Sequence, residues 1–333
     1  MKAFHIAACL GLALVPLSCT KDAPELDDRA AVLAFANAIA GEEVFPLVEQ
    51  LSALHLNDTP ISNEGFPPAE LFPSDQLTRT AAVGFVANAF AQMGYTADTV
   101  VLGSGPQVAY NVVAEYRGVL YPNEVVLVAS HLDAFYGGAD DNGSAVAAML
   151  EIARAARHFR FARTIRFISF DLEEFGAVGS TRYIEAGHAD DVTSAVVMDV
   201  IGYASSEPGS QDNAMGVNFP DVGDFLCVVG NQDTAELTQQ VVALAHTSGL
   251  GKTVGVVAPG NGNYFLSSIF MRSDHGLLWY NNTPAIFFTD GANTRNPHYH
   301  LPSDLPETLD PQFLVRNTRI IAATVAIQAG IQP

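Results

Sequence analysis

Positive charge is scarce in this chain. Lys and Arg together number 16 against 36 Asp and Glu in 333 residues, a formal charge of −20. Such a surface repels phosphate backbones, so nucleic acid is excluded as a natural partner; the acidity is read mainly as solubility, with some carboxylates free to surround a cation. Cysteine is also rare: Cys9, Cys19 and Cys227 are the only three. The first two lie in the N-terminal segment, leaving one thiol in "DFLCVVG", which cannot form an internal disulfide. It reads as a core cysteine, since a nucleophile would want an exposed loop and a nearby histidine. Repeats, heptads and low-complexity tracts are absent. Apolar residues, by contrast, make up 49% of the chain and charged ones only 16%, enough for a large core in one big domain or two small ones.

The N-terminus, "MKAFHIAACLGLALVPLSCTKDAPELDD", has a lysine, an apolar run too short to span a bilayer, and a small residue before Cys19. This is a secretory signal pattern over residues 1–18, followed by a polar linker over 19–28. "VPLSC" resembles a bacterial lipoprotein signal in which Cys19 is lipidated, although Pro16 stands where leucine is usual; plain cleavage and secretion is the alternative. The expected location is outside the cytoplasm, as a cell-envelope or outer-membrane lipoprotein or a secreted or periplasmic protein, with any membrane attachment only through the lipid on Cys19.

From residue 29 to 333 the pattern fits a single domain. "RAAVLAFANAIAGEEVFPLVEQLSAL" and "RTAAVGFVANAFAQMGY" have helical spacing, the second stopping at Gly94. Strands and helices then alternate. "YNVVAEY" and "EVVLVAS" read as strands joined by a turn around Arg117–Asn123. "GSAVAAMLEIARAARHF" reads as a helix that Asn142 is placed to cap, and "TIRFISFDL", "SAVVMDV", "FLCVVG" and "AIFFTD" as strands. "GSTRYIEAG", "DTAELTQQVVALAHTSG" and "DPQFLVRNTRIIAATVAIQAG" read as helices. This alternation predicts an α/β fold with a mixed, largely parallel central sheet and helices on both faces. The long Gly/Pro/Asp-rich linker Tyr203–Gly223 is expected to act as a lid.

Ligands of open α/β sheets bind beyond the carboxyl ends of the strands, and there the polar residues collect. His131, Asp133, Asp140 and Asp141 follow the "EVVLVAS" strand. Glu173 and Glu174 follow "TIRFISFDL", Asp199 closes "SAVVMDV", and His298 and His300 lie in the loop after "AIFFTD". Singly each has a bland reading: a hydrogen-bonded histidine, a solvated "EE", a "DD" turn. Together they conflict electrostatically, because carboxylates at one apolar-backed edge cannot all ionise without a cation. The nearest basic residues, Arg272 and Arg295, form no cluster in these loops. Carboxylates with imidazoles suit zinc, or less often manganese or cobalt. A pair of zinc ions about 3.5–4 Å apart needs a bridging carboxylate, a histidine and a carboxylate for each ion, and a free carboxylate as base. His131, Asp141, Glu174, Asp199, His300 and Glu173 complete that inventory.

The set "HLD", "GADDN", "FDLEEFGAVGS", "MDVIGY", "RSDHGLLW" and "NPHYHLPSDLPETLD" resembles metallopeptidase family twenty-eight, di-zinc exopeptidases that include bacterial leucyl aminopeptidases. The resemblance runs from His131 to Asp310 in the family's motif order. It implies that His131 and Asp199 hold one zinc, Glu174 and His300 the other, and that Asp141 bridges both. It further implies Glu173 as general base, Asp133 as the group orienting His131 through its other ring nitrogen, and Asp274 in a supporting part. The family's N-P-x-x-H-x-x-x-D spacing selects His300 over His298, with Asp304 completing it. His5, His55, His158, His188 and His246 are read as structural.

The implied reaction is hydrolysis of an N-terminal peptide bond by metal-activated water, on a peptide or aminoacyl substrate. The alternative within the fold is a single-zinc glutaminyl cyclase-like aminoacyltransferase. Carboxypeptidase action on acidic dipeptides and a non-catalytic binding module are further readings, the last disfavoured because no ligand or base is missing.

Overall fold

The β-branched residues Val125, Val126 and Val128 form the middle of a strand, Tyr121–His131, buried on both faces from Val125 onward. That double burial explains why its sequence is a continuous apolar run rather than an alternation. A computed structural model describes residues 28–61, 76–213, 217–260, 263 and 268–332. The expected signal segment with Cys9 and Cys19, the linker through residue 27 and most of the Pro-rich 57–75 stretch lie outside the described residues.

The strands are β1 (Leu77–Thr78), β2 (Ala97–Leu102), β3 (Ala109–Tyr116), β4 (Tyr121–His131), β5 (Ala134–Phe135), β6 (Arg160–Phe161), β7 (Arg163–Phe170), β8 (Val192–Met198), β9 (Leu226–Gly230), β10 (Thr253–Val257), β11 (Ala285–Thr289) and β12 (Ile331–Gln332). Eight of them form one sheet in the order β10-β9-β11-β8-β4-β7-β3-β2. The β10/β9, β11/β8, β8/β4 and β4/β7 joints are parallel. The β11/β9, β3/β7 and β2/β3 joints are antiparallel. The sheet is therefore mixed, with a parallel centre, as the alternation of elements predicts.

Each strand divides its side chains between two cores. Val126, Val128, Ile165, Phe167, Val196, Met198, Leu226 and Val228 face one core. Against it pack α1 (Arg29–Asn37), α2 (Gly41–Asn57), α3 (Thr80–Gln92), α4 (Ala145–Ala156), α6 (Ala235–Ser248) and the C-terminal helix Pro311–Ala329. Leu127, Ala129, Ile168, Phe170, Ala195, Val197, Cys227 and Val229 face the other, under α5 (Val178–Glu185) and the short helix His275–Tyr280. Alanines along α4 let that helix lie close to the sheet, and nearly all of it is buried. The C-terminal helix has clear local signals. Asp310 accepts hydrogen bonds from the Gln312 and Phe313 N–H groups, Pro311 occupies the first turn, and Gly330 at φ 65° closes it.

Cys227 is buried in β9, and burial pushes its thiol up to about 12, so it packs as a small apolar side chain. β2 and β10 escape sequence reading. β2 is a half-exposed edge strand with Asp98 and Thr99 in it, and β10 is only partly buried, so neither shows a continuous apolar run. The turn before β4 is shorter than the Arg117–Asn123 expected, because β4 already pairs with β7 at Tyr121.

Asn142 does not cap α4. Its side-chain amide is taken up by the Met198 carbonyl and the Val200 N–H, at 3.1 and 3.2 Å, and α4 starts only after a wide turn, Ala139–Ser144. The bonds to β8 tie down the Asp140–Asp141 turn, a stronger demand on that amide than an ordinary cap. The described part of the Tyr203–Gly223 linker is likewise docked rather than poised over the sheet rim. Asp212 donates its N–H to the Thr294 carbonyl at 2.9 Å, and the buried Gln211 bonds Thr294 and Arg295. Satisfied buried amides hold it as a brace for the loop after β11.

Candidate metal centre and active site

β4 has β7 on one side and β8 on the other. Successive crossovers therefore leave in opposite directions and open a crevice at the carboxyl ends of the strands. His131 is the last residue of β4, Glu173 and Glu174 follow β7, and Asp199 follows β8 directly. His300 comes from the loop after β11, and Asp141 from the wide turn before α4. Three adjoining backbone positions are left-handed: Leu172 at φ 59°, Val200 at φ 51° and His300 at φ 57°. Such conformations are unfavourable for side chains with a Cβ, above all a β-branched one, and persist where neighbours over-determine them. The Leu172 carbonyl accepts the Val178 N–H at 3.0 Å and the Val200 carbonyl the Asp290 N–H at 2.7 Å, so the turns that aim Glu173 and Asp199 inward are held from behind.

The side chains converge in two sets of three, His131, Asp141 and Asp199 in one and Asp141, Glu174 and His300 in the other, each with donor atoms within 4.8 Å of one another. The His131 Nε2 lies 3.3 Å from Asp141 and 3.5 Å from Asp199. The His300 Nε2 lies 3.0 Å from both Asp141 and Glu174. Asp141 belongs to both sets, offering a different carboxylate oxygen to each histidine. His131 Nε2, Asp141 Oδ2, Glu174 Oε1 and His300 Nε2 are buried without a hydrogen-bond partner. Buried donor atoms that converge without bonding one another are what a shared cation satisfies, and imidazole with carboxylate oxygens is a donor set for zinc.

Charges behave accordingly. Burial favours the neutral imidazole of His131, yet Asp199, Asp133 and Asp141 outweigh it and push its pKa well above the ordinary range. His300 is raised to about 11 by Glu174 and Asp141 against the same burial. Burial together with Asp141 pushes Glu174 up to about 8. Burial opposes ionisation of Asp141, but His131 and His300 hold its carboxyl far below the usual range. Without a divalent cation this cluster balances itself by retaining protons; ligation displaces them.

Glu173 belongs to neither set, with its carboxylate 4.0 Å from the His131 Nε2. Burial, then Asp199, Asp274 and Glu174, push it well above its ordinary value against the pull of His131. Asp133 meets the other ring nitrogen of His131 as expected, and does so through its main chain. The His131 Nδ1–H donates to its backbone carbonyl at 3.0 Å, while the Asp133 carboxylate stands 3.6 Å away. That carboxylate accepts the Glu173 and Glu174 N–H groups at 3.1 and 3.2 Å. One residue thus orients the histidine through its main chain and the paired glutamates through its side chain. Asp274 is buried and accepts the Ser180 hydroxyl. Burial raises its carboxyl to about 7, with His131 pulling it down and Asp199 and Asp133 pushing it up, which places it in the field of the same cluster.

His298 turns away from both sets, 2.9 Å from the Ser303 hydroxyl and against Tyr203. Asp304 accepts the Asp140 and Asp141 N–H groups at 3.0 and 3.1 Å. Asp140 itself accepts the Gly202 N–H and the Asn296 amide. Asp140 and Asp304 therefore anchor loops.

Sequence reasoning missed Arg79, Tyr299 and an apolar cavity. Arg79 is buried against Asp171 and the Val108 carbonyl, behind the glutamate loop. Arg272 bonds Asn293 and Arg295 bonds Gln211 and the Phe225 carbonyl, so neither offsets the donor sets. Tyr299 stacks on His300, ring centroids 3.9 Å apart, and burial with Asp141, Glu174, Asp199 and Glu173 pushes its phenol well above its ordinary value. Its position inside the "NPHYH" motif was the available signal. A cavity of about 290 Å³ beside Asp199 is lined by Val229, Ile269, Phe270, Phe287, Arg272 and Tyr299, among others.

The family model described as Peptidase family M28 matches residues 111–325. An uncharacterised protein of Escherichia coli, YfbL, is 32% identical over 73% of this chain and 77% of its own length. An aminopeptidase of Pseudomonas aeruginosa is 45% identical over 78 residues, 23% of this chain and 14% of the relative. The solved structure of the LapA aminopeptidase from Legionella pneumophila superposes with a TM-score of 0.65 at 18% identity, covering 93% of this chain and 77% of that one. Glutaminyl cyclase from Porphyromonas gingivalis superposes at 0.62 with 16% identity, covering 87% and 99%.

In the metal-free protein Glu174, Asp171, Asp274 and Asp304 are raised to about 8, 7, 7 and 8. Between about pH 4 and 8 the folded state therefore binds more protons than the unfolded state, and stability must fall as pH rises. The raised His131 and His300 act in the same direction above about pH 6.5. Thermal melts at pH 5, 7 and 8, with EDTA or with excess zinc, should show the metal-free midpoint dropping with pH and the zinc-induced gain widening. A gain that shrinks as pH rises would contradict the assignment.

Proposed function

Because the chain belongs to Peptidase family M28, we propose that it is a zinc-dependent exopeptidase, an aminopeptidase, whose two ions are held by His131, Asp141 and Asp199 and by Asp141, Glu174 and His300. The observation that carries this reading is the sharing of Asp141 between two donor sets. Bound there, such ions supply Lewis acidity that polarises the scissile carbonyl and brings the pKa of water to about 7.

The remaining work falls to the chain's own groups. Glu173 lies outside the donor sets and next to them, its carboxylate 4.0 Å from the His131 Nε2, a place from which it would serve a water held in the crevice. Its raised proton affinity suits a base that must both take a proton from water and give it to the leaving amine. Asp133 fixes the main chain of Glu173 and Glu174, so base and ligand move as one unit. Tyr299, whose phenol is pushed up by burial and by the surrounding carboxylates in the metal-free chain, is available to donate a hydrogen bond to oxygen where negative charge develops. The acidic rim favours a substrate's free amine. The cavity walls Val229, Ile269, Phe270 and Phe287 favour an apolar N-terminal side chain.

The same scaffold carries the glutaminyl cyclase reading, which needs one ion and no hydrolytic water; a carboxylate shared between two donor sets favours hydrolysis. Metal content by mass spectrometry, with a panel of aminoacyl-anilides and a glutaminyl peptide, separates the two. Two zinc ions per chain, chelator-sensitive release of anilide from leucyl and phenylalanyl substrates, and slower acidic ones are expected. Pyroglutamate as main product with one ion would replace the hydrolase by the cyclase.

Glu173→Ala should retain both ions and lower kcat by about 10²–10⁴; equal loss of metal would reassign Glu173 as a ligand. Tyr299→Phe should lower kcat roughly a hundredfold with KM little changed, and an unchanged kcat would remove the phenol from the mechanism.

A further inference from the structure

The connection from β3 to β4 crosses the amino-terminal end of β7 and exposes three consecutive apolar residues. Val119, Leu120 and Tyr121 are 44%, 56% and 50% exposed. Isolated apolar residues on a surface are ordinary, but a consecutive exposed run is unfavourable unless something covers it. The run is held rigidly. The Val119 N–H donates to the Phe161 carbonyl at 2.9 Å, and those of Leu120 and Tyr121 to the Ala162 carbonyl at 3.0 and 2.7 Å. The Arg163 guanidinium lies 5.6 Å over the Tyr121 ring.

This end of the sheet is close to charge-balanced in an otherwise strongly acidic chain, with the exposed Asp190, next to Asp191, unpaired among the described residues. Glu124 is paired with Arg163, and Glu115 and Asp191 with Arg166. The exposed Arg117 and Arg160, flanking the tip and its supporting strand, have no ion pair among the described residues. In a chain of net charge −20, unpaired arginines around an apolar, tyrosine-containing tip match a surface that is apolar inside and anionic at its face. A second copy docked about a two-fold axis would set these arginines against their own counterparts. Orientation agrees as well: β4 runs from Tyr121 to His131, so the tip lies about 30 Å from the donor sets, at the opposite rim.

We infer that the Val119–Tyr121 tip, with Arg117 and Arg160, is a docking surface for anionic lipid bilayers that leaves the catalytic crevice facing away from the membrane. Leu120 and Val119 enter the acyl boundary, Tyr121 sits at the headgroups, and the arginines face lipid phosphates. This inference is independent of the catalytic reading, and its test reads no activity.

The chain's single tryptophan, Trp279, is buried, so full-length Leu120→Trp carries a reporter at the tip alone. With vesicles of phosphatidylcholine and phosphatidylglycerol in equal parts, its emission should shift to the blue and be quenched by brominated acyl chains. Adding Arg117→Glu and Arg160→Glu should weaken that response roughly tenfold or more. No shift on the anionic vesicles overturns the inference, even if the N-terminal segment sediments the protein with them. An equal shift on phosphatidylcholine alone overturns the anionic preference. A shift without vesicles, with doubled mass in light scattering, replaces the bilayer by a second copy.

Discussion

Asp141 faces two histidines at once, one carboxylate oxygen 3.3 Å from His131 and the other 3.0 Å from His300. On either side stand Asp199 and Glu174, with Glu173 close by. At the buried end of a parallel sheet, mutual repulsion among these carboxylates is met, in the metal-free protein, by protons retained on the histidines and on Glu174. Divalent charge resolves it, and the unbonded buried donor atoms mark where that charge belongs. The surrounding architecture serves this requirement: strand ends bring the ligands, left-handed turns aim them, and backing carboxylates hold the turns.

The backing layer is itself acidic. Asp304 holds the Asp140–Asp141 main chain, Asp133 holds Glu173 and Glu174, and Asp171 receives Arg79 behind them. Burial raises Asp304 to about 8 and Asp171 to about 7, so the supports add to the electrostatic demand they help to organise. Metal occupancy and folding stability are therefore linked in this protein.

Charge is distributed unevenly over the molecule. The crevice rim concentrates carboxylates, whereas at the opposite rim Glu115, Glu124 and Asp191 are paired with arginines, and Arg117, Arg160 and Asp190 have no ion pair among the described residues. On the readings proposed above, the first rim would attract an amine-bearing substrate and the second an anionic surface, so that one layout would serve both chemistry and placement.

Much of the fold was legible from local patterns, because buried strands such as Val125–Val128 and amphipathic helices such as Pro311–Ala329 carry their periodicity in adjacent residues. The residue types of the centre were legible too, since each sits directly after a strand and like charges so placed demand a cation. What sequence could not assign were the partners of groups distant in the chain. Asn142 reads as a cap but bonds Met198 and Val200, the described part of the Tyr203–Gly223 linker braces Thr294 and Arg295 through Gln211, and β2 and β10 lack a strong pattern at the sheet edges. By itself the sequence determined most of the elements and which residue types stand at the strand ends, both products of short-range order. Only the tertiary structure decided that Asp133 works through main chain and side chain together, that Tyr299 stacks on His300, and that an apolar cavity opens beside Asp199. Those depend on which strand ends meet, and contacts between strand ends come from long-range packing.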